Sequence, residues 1–122
     1  MSTLKVNTIQ DASGSNASTS EQIAQGRAKA WVNFNATGTA AIRDSFNVSS
    51  ITDLDVGRFT VAFSSNMPNS NYAVVASGGN QGTAAGMAYM YSPTTSQTNV
   101  ENVTATDQLL DSPFFCVAVF GD

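Results

Sequence analysis

The chain contains no histidine, and every catalytic device that depends on one is closed to it. A Ser-His-Asp triad, a Cys-His pair and a histidine general base are all excluded. One cysteine, Cys116, with no histidine cannot furnish a zinc site of the usual kinds, which need several Cys or His ligands. It also forbids an internal disulfide, so the chain is not a cystine-stapled scaffold. No motif implies a cofactor. Charge is scarce as well. Asp, Glu, Lys and Arg make up 11% of the 122 residues, about half the share of an average soluble domain. The net charge of −4 comes without any Lys/Arg cluster, so phosphate backbones have nothing to grip and nucleic acid is not an expected partner. No apolar run reaches the ~18–20 residues of a transmembrane helix. The opening residues 1–7 also lack the apolar core of a signal peptide, so neither membrane insertion nor the usual export route is expected.

Ser, Thr and Asn fill the space that charge leaves, with 39 of 122 residues. Large aliphatics are few, because only eight residues are Leu or Ile while 16 are Ala. That shortage is concentrated before residue 30, where Leu4, Val6, Ile9 and Ile23 are the sizeable apolar side chains. Leu4 and Val6 share one face of an extended segment. Four such residues bury too little to fix a segment by themselves. Residues 11–20 read as a flexible linker. Ser18 followed by Glu21 fits a capping box and predicts a short helix through Ile23, which Gly26 ends. Residues 1–29 are therefore expected to form an extended N-terminal arm that orders on contact, with Leu4, Val6 and Ile9 as its docking residues.

From residue 30 the period is two. Val32 and Phe34 alternate with Trp31, Asn33 and Asn35, and residues 42–51 read as one further run. Asp53 to Gly57 reads as a turn, with Gly57 supplying a positive φ. Phe59, Val61 and Phe63 alternate with Thr60, Ala62 and Ser64. Tyr72, Val74 and Ala76 follow, then Met87, Tyr89 and Tyr91 on one face, a weaker strand over 100–106, and Phe114–Phe120. Six or seven short strands at this spacing predict an all-β fold, a small antiparallel sandwich of jelly-roll or barrel-like form over residues 30–122. The last strand is apolar on both faces. It belongs either at the centre of the sandwich or against another subunit, since a domain of this size buries only about two-thirds of its surface alone. Trp31, Phe34, Phe114, Phe115 and Phe120 are the candidate oligomer interface.

Other motifs carry less. Asp53 and Asp55 resemble the start of a calcium loop, but the later oxygen ligands are missing and a turn needs the same residues. Asp107 and Asp111 read as loop carboxylates rather than a glycosidase pair. Cys116, between Phe115 and Val117, reads as an unreactive core cysteine. Tyr72, Tyr89 and Tyr91 offer amphipathic rings that could stack on sugar, with residues 78–82 and 93–97 as the neighbouring loops.

Three stretches add a resemblance. Ser2-Thr-Leu-Lys-Val-Asn-Thr-Ile-Gln10-Asp11, then Ile23-Ala-Gln-Gly-Arg27-Ala-Lys-Ala-Trp31-Val-Asn-Phe34, then Ala41-Ile-Arg43-Asp-Ser-Phe46 together resemble segments of fibre-like proteins of tailed bacteriophages, especially those of cyanobacterial hosts. The likeness covers residues 2–76. It implies a virion structural protein, commonly a homotrimer with β-sandwich domains and no enzymatic activity, assembled in the host cytoplasm. Its partners would be other copies of itself, other virion proteins and a host surface glycan. A tail-fibre-like appendage and a capsid decoration protein both fit; a bacterial surface module and a carbohydrate-processing enzyme using Asp107 and Asp111 are the readings outside that class.

Overall fold

The computed structural model describes residues 1–79 and 87–121. Its first 29 residues hold a short two-stranded ladder and one helix. Strands β1 (Thr8–Ile9) and β2 (Ser18–Thr19) pair antiparallel, and helix α1 (Ser20–Gly26) follows directly. Asp11 organises the loop between the two strands. Its Oδ1 accepts from the Ser13 amide and hydroxyl and the Ser15 amide at 3.0, 2.7 and 2.8 Å, and its Oδ2 accepts from Asn16 Nδ2 at 3.1 Å. These donors, the Ser13 hydroxyl foremost, hold the Asp11 carboxyl below the usual carboxylate range. The capping box sits one residue later than the expected Ser18–Glu21 pair. Thr19 Oγ1 accepts from the Gln22 amide at 3.1 Å, and Gln22 Oε1 accepts from the Thr19 amide at 2.9 Å. Thr19, the last residue of β2, has the extended backbone of an N-cap at φ −73° and ψ 160° directly before α1. No residue of α1 is buried.

The remaining strands are β3 (Ala30–Asn35), β4 (Ala41–Phe46), β5 (Val48–Asp55), β6 (Arg58–Phe63), β7 (Ala73–Gly79), β8 (Met87–Tyr91), β9 (Gln97–Val103) and β10 (Phe114–Phe120). They form two four-stranded antiparallel sheets, in the orders β4-β3-β10-β7 and β5-β6-β9-β8. The all-β sandwich is as the alternation predicts.

Inward residues of both sheets meet in one core. Phe34 and Phe115 stack at 5.0 Å, and Phe59 from the opposite sheet meets them edge-on at 5.3 and 5.9 Å. Such ring pairs add about 0.5–1.5 kcal/mol each beyond area burial. Val32, Val61, Val100, Val117 and Val119 fill the space around them. Tyr72 closes one end with its ring edge-on to Phe63 at 5.7 Å.

Two junctions required particular residues. The run 42–51, read as a single strand, is broken at Asn47, where the chain leaves the first sheet and enters the second. Asn47 takes a left-handed φ of 53°, which Asn tolerates better than most residues. Its side chain then closes the corner. Nδ2 donates to the carbonyls of Lys29 and Ser65 at 3.1 and 3.2 Å, and Oδ1 accepts from the Ser65 amide at 2.7 Å. The second junction is the β5–β6 turn at Gly57, with φ 69° as expected. A Cβ there would lie 2.7 Å from the Asn102 carbonyl oxygen, so space and dihedral both demand glycine.

Candidate functional site

The inner faces of the two sheets are alike; the outer faces are not. On the first sheet, register places Phe46 opposite Trp31, Trp31 opposite Ala118, and Ala118 opposite Val75. Cross-strand partners project to the same side, so these four form an apolar row from one edge of the sheet to the other. Trp31 faces outward because Ala30, Val32 and Phe34 take the inward parity of β3. Val75 is 64% exposed and Phe46 55%, while Trp31 and Ala118 are half-buried. Phe120, paired with Ala73, extends the apolar surface on one side of the row. On the other side lie Asp44, Asn33, Cys116 and Ser77. Beyond them the Arg43 guanidinium covers the Phe114 ring at 4.8 Å and donates through Nη1 to Asn33 Oδ1 at 3.3 Å. A shallow hollow of ≈ 270 Å³ opens among Trp31, Val75, Cys116 and Ala118.

The outer face of the second sheet is mixed: Met87 stands 67% exposed at one end, and a hydrogen-bonded polar row runs beside it. Tyr89, Glu101 and Arg58 stand in one cross-strand row. The Tyr89 hydroxyl donates to Glu101 Oε1 at 2.6 Å, and Arg58 Nε donates to Oε2 at 2.7 Å. Glu101 is only 9% exposed, and both its oxygens are taken. The Tyr89 hydroxyl and then the Arg58 guanidinium hold the Glu101 carboxyl below its ordinary range. The same contact raises the Tyr89 hydroxyl and the Arg58 guanidinium above theirs. In the next row Thr60 Oγ1 donates to Asn99 Oδ1 at 2.8 Å, with Tyr91 paired to Asn99.

The residues expected to form an oligomer interface divide by parity. Trp31, Phe114 and Phe120 reach the outer face. Phe34 and Phe115 are fully buried in the core and present no surface to a partner. Phe46 and Val75, the most exposed members of the row, escaped the sequence reading, because only the inter-strand register puts them beside Trp31. Cys116 is exposed rather than a core residue, since its inward-facing neighbours Phe115 and Val117 force it outward. The tyrosines also separate. Tyr72 points into the core, its hydroxyl 2.9 Å from the carbonyl oxygens of both Thr94 and Gln97, and burial pushes its ionisation up. Loop 93–97 thus anchors Tyr72 instead of framing an open ring. Tyr89 and Tyr91 stand on the outer face of the second sheet. Of the expected loop 78–82, residues 80–82 lie outside the described residues.

Leu4, Val6 and Ile9 are brought together. With Ile23, Lys5, Asn7 and Ser20 they line an open groove of ≈ 480 Å³. Leu4 is 81% exposed, and Val6, Ile9 and Ile23 are all exposed. Asp111 is structural, its Oδ1 accepting from the Gly57 amide at 2.7 Å. Asp107 occupies a turn at φ 63°. Among the described residues no three His, Cys, Asp or Glu side chains gather as a metal site, and no helix is long and apolar enough to cross a membrane.

No family model and no curated protein sequence matches the chain. Among solved structures, the fold is similar to part of the phiAB6 tailspike, solved in complex with three-repeated oligosaccharides of Acinetobacter baumannii surface polysaccharide. The match has a TM-score of 0.55 over 74% of this chain, at 14% identity, and covers 19% of the tailspike chain. At that identity the likeness is one of fold: this chain's β-architecture is similar to a portion of a phage tailspike.

Proposed function

We propose that the chain is a structural, non-catalytic module of a phage virion appendage of the tail-fibre-like kind. In this reading the sandwich self-associates as a homotrimer, and the N-terminal arm is the element of attachment. The observation that carries it is the apolar row Phe46–Trp31–Ala118–Val75, left open across all four strands of one face, where the other outer face carries the bonded Tyr89–Glu101–Arg58 row. Exposed apolar surface of this extent marks a protein–protein contact more often than free surface. The low charge density suits repeated copies packed around an axis, where like charges meet. The fold likeness to a tailspike portion supports the same class, and the oligosaccharide bound by that tailspike makes a host surface glycan the natural outer partner. Tyr89 and Tyr91 are the rings left to meet it.

Immunogold labelling of virions with an antibody against the purified chain tests the placement. Label at the tail is expected. Label on the head would move the protein to capsid decoration, and unlabelled virions would overturn the proposal.

A further inference from the structure

We propose that residues 4–9 of one copy lie across the apolar row of the next copy's first sheet, so that each copy gives an arm and receives one. The inference rests on the self-association argued above and names the contact that makes it. Among the described residues, the row and the arm carrying Leu4, Val6 and Ile9 are both apolar and open. Their dimensions agree. The row crosses four strands, roughly 14 Å from the first to the last. Residues 4–9 reach about 16 Å when straightened out of the bend at Asn7, and Leu4 and Val6 then share the side that meets the row. In the free chain the bend holds Ile9 in one groove with them.

Charge separates this occupant from a second sandwich. Residues 30–122 contain Arg43 and Arg58 against seven acids, whereas residues 1–29 contain Lys5, Arg27 and Lys29 against Asp11 and Glu21. Sandwich on sandwich sets like charge against like; arm on sandwich sets positive against negative. A chain's own arm does not cover its row: residues 27–29 leave beside Phe46 and Asn47, and the arm's aliphatics stay exposed. Giving one arm and receiving another is a heterologous contact, which closes a ring when the rotation permits.

Cys116, exposed beside the row, is a built-in probe for the test. Full-length chains carrying Val6→Cys, Leu4→Cys or Ile9→Cys in turn are mildly oxidised and run on a non-reducing gel. Wild type, or any of these with Cys116→Ser, has one thiol and can link no further than a dimer. Covalent species larger than a dimer are expected from at least one two-thiol variant, and their non-reducing peptide map should join Cys116 of one chain to the arm cysteine of another; links of arm to arm and face to face alone would overturn the inference. Only fast-migrating, internally linked monomers, or nothing above a dimer, would overturn the inference. In parallel, light scattering of full-length Leu4→Asp/Val6→Asp should read 12.7 kDa, with the thermal midpoint of the sandwich retained. A wild-type oligomer whose mass ignores the arm variant sinks the inference alone. A wild type already at 12.7 kDa sinks the self-association reading with it.

Discussion

The outer faces of the two sheets answer the same problem in opposite ways. On the second sheet a row of large polar side chains finds neighbours across the strands: Tyr89 and Arg58 on Glu101, and Thr60 on Asn99. On the first, the corresponding positions hold Phe46, Trp31, Ala118 and Val75, which gain nothing from water and little from one another. The inner faces do not differ in this way, since both contribute phenylalanine and valine to one core. Folding alone accounts for the core and for the bonded polar row of the second outer face, beside which Met87 still stands exposed. It does not account for the first. A chain this short of Leu and Ile that still spends Trp, Phe and Val on an open face has a use for that face outside the monomer.

The comparison breaks most completely where the two sheets share a layer. Phe34→Ala removes the ring that stacks on Phe115 and meets Phe59 edge-on, and should cost about 3–5 kcal/mol in chemical denaturation. Both outer faces would be lost together. A loss under ~1 kcal/mol would mean that the sheets are held by something other than this cluster. The next effect belongs to the corner that assigns β4 and β5 to different sheets. Asn47→Ala forfeits three hydrogen bonds and a residue suited to φ 53°, and should cost about 1–3 kcal/mol by thermal or denaturant unfolding. Asn47→Gly restores the backbone freedom and should recover part of that loss.

These two positions mark how far the sequence could be read. Alternation at 30–35, 59–63 and 114–120 disclosed the class and the inward residues, because period two is written into the chain itself. Asn47 was invisible: a corner interrupts no apolar pattern, so residues 42–51 read as one strand. The outer face was half visible. Trp31 and Phe120 announce themselves by size, but Phe46 and Val75 join them only through pairings between strands distant in sequence. Parity also misled, in that Phe34 and Phe115 are as conspicuous as Trp31 yet face the core, and Cys116 between two buried residues faces out. The arm's aliphatics were legible as exposed, but the Asp11 loop that orders the arm depends on a hydrogen-bond geometry that composition does not encode.

A smaller effect sharpens the polar face. The Glu101 carboxyl is depressed in the folded chain by Tyr89 and Arg58. The unfolded chain therefore binds more protons at low pH, and the contribution of this contact is present above the unfolded value near ~4.3. It is lost as pH falls through the lower folded value. Unfolding midpoints of wild type and Glu101→Gln, compared from pH 7 to pH 3, should converge towards the acid end. A gap that stays constant across that range would show that the carboxylate charge contributes nothing on this face.

The smallest change in monomer stability should come from the face with the most to reveal. Val75 is 64% exposed, so Val75→Ser removes little buried area and should shift the unfolding free energy of the isolated chain by no more than ~0.5 kcal/mol. Light scattering should nevertheless register the substitution as a loss of oligomer mass, because Val75 ends the apolar row. Tyr89→Phe is the matched control. It removes the 2.6 Å contact to Glu101 on the other sheet, and should leave the mass untouched. If both variants kept the wild-type mass, the apolar row would be ordinary solvent-tolerant surface, and the contrast between the two faces would be one of composition without consequence. If both lost it, association would involve the polar face too. Only a loss confined to Val75→Ser ties the asymmetry between the sheets to assembly.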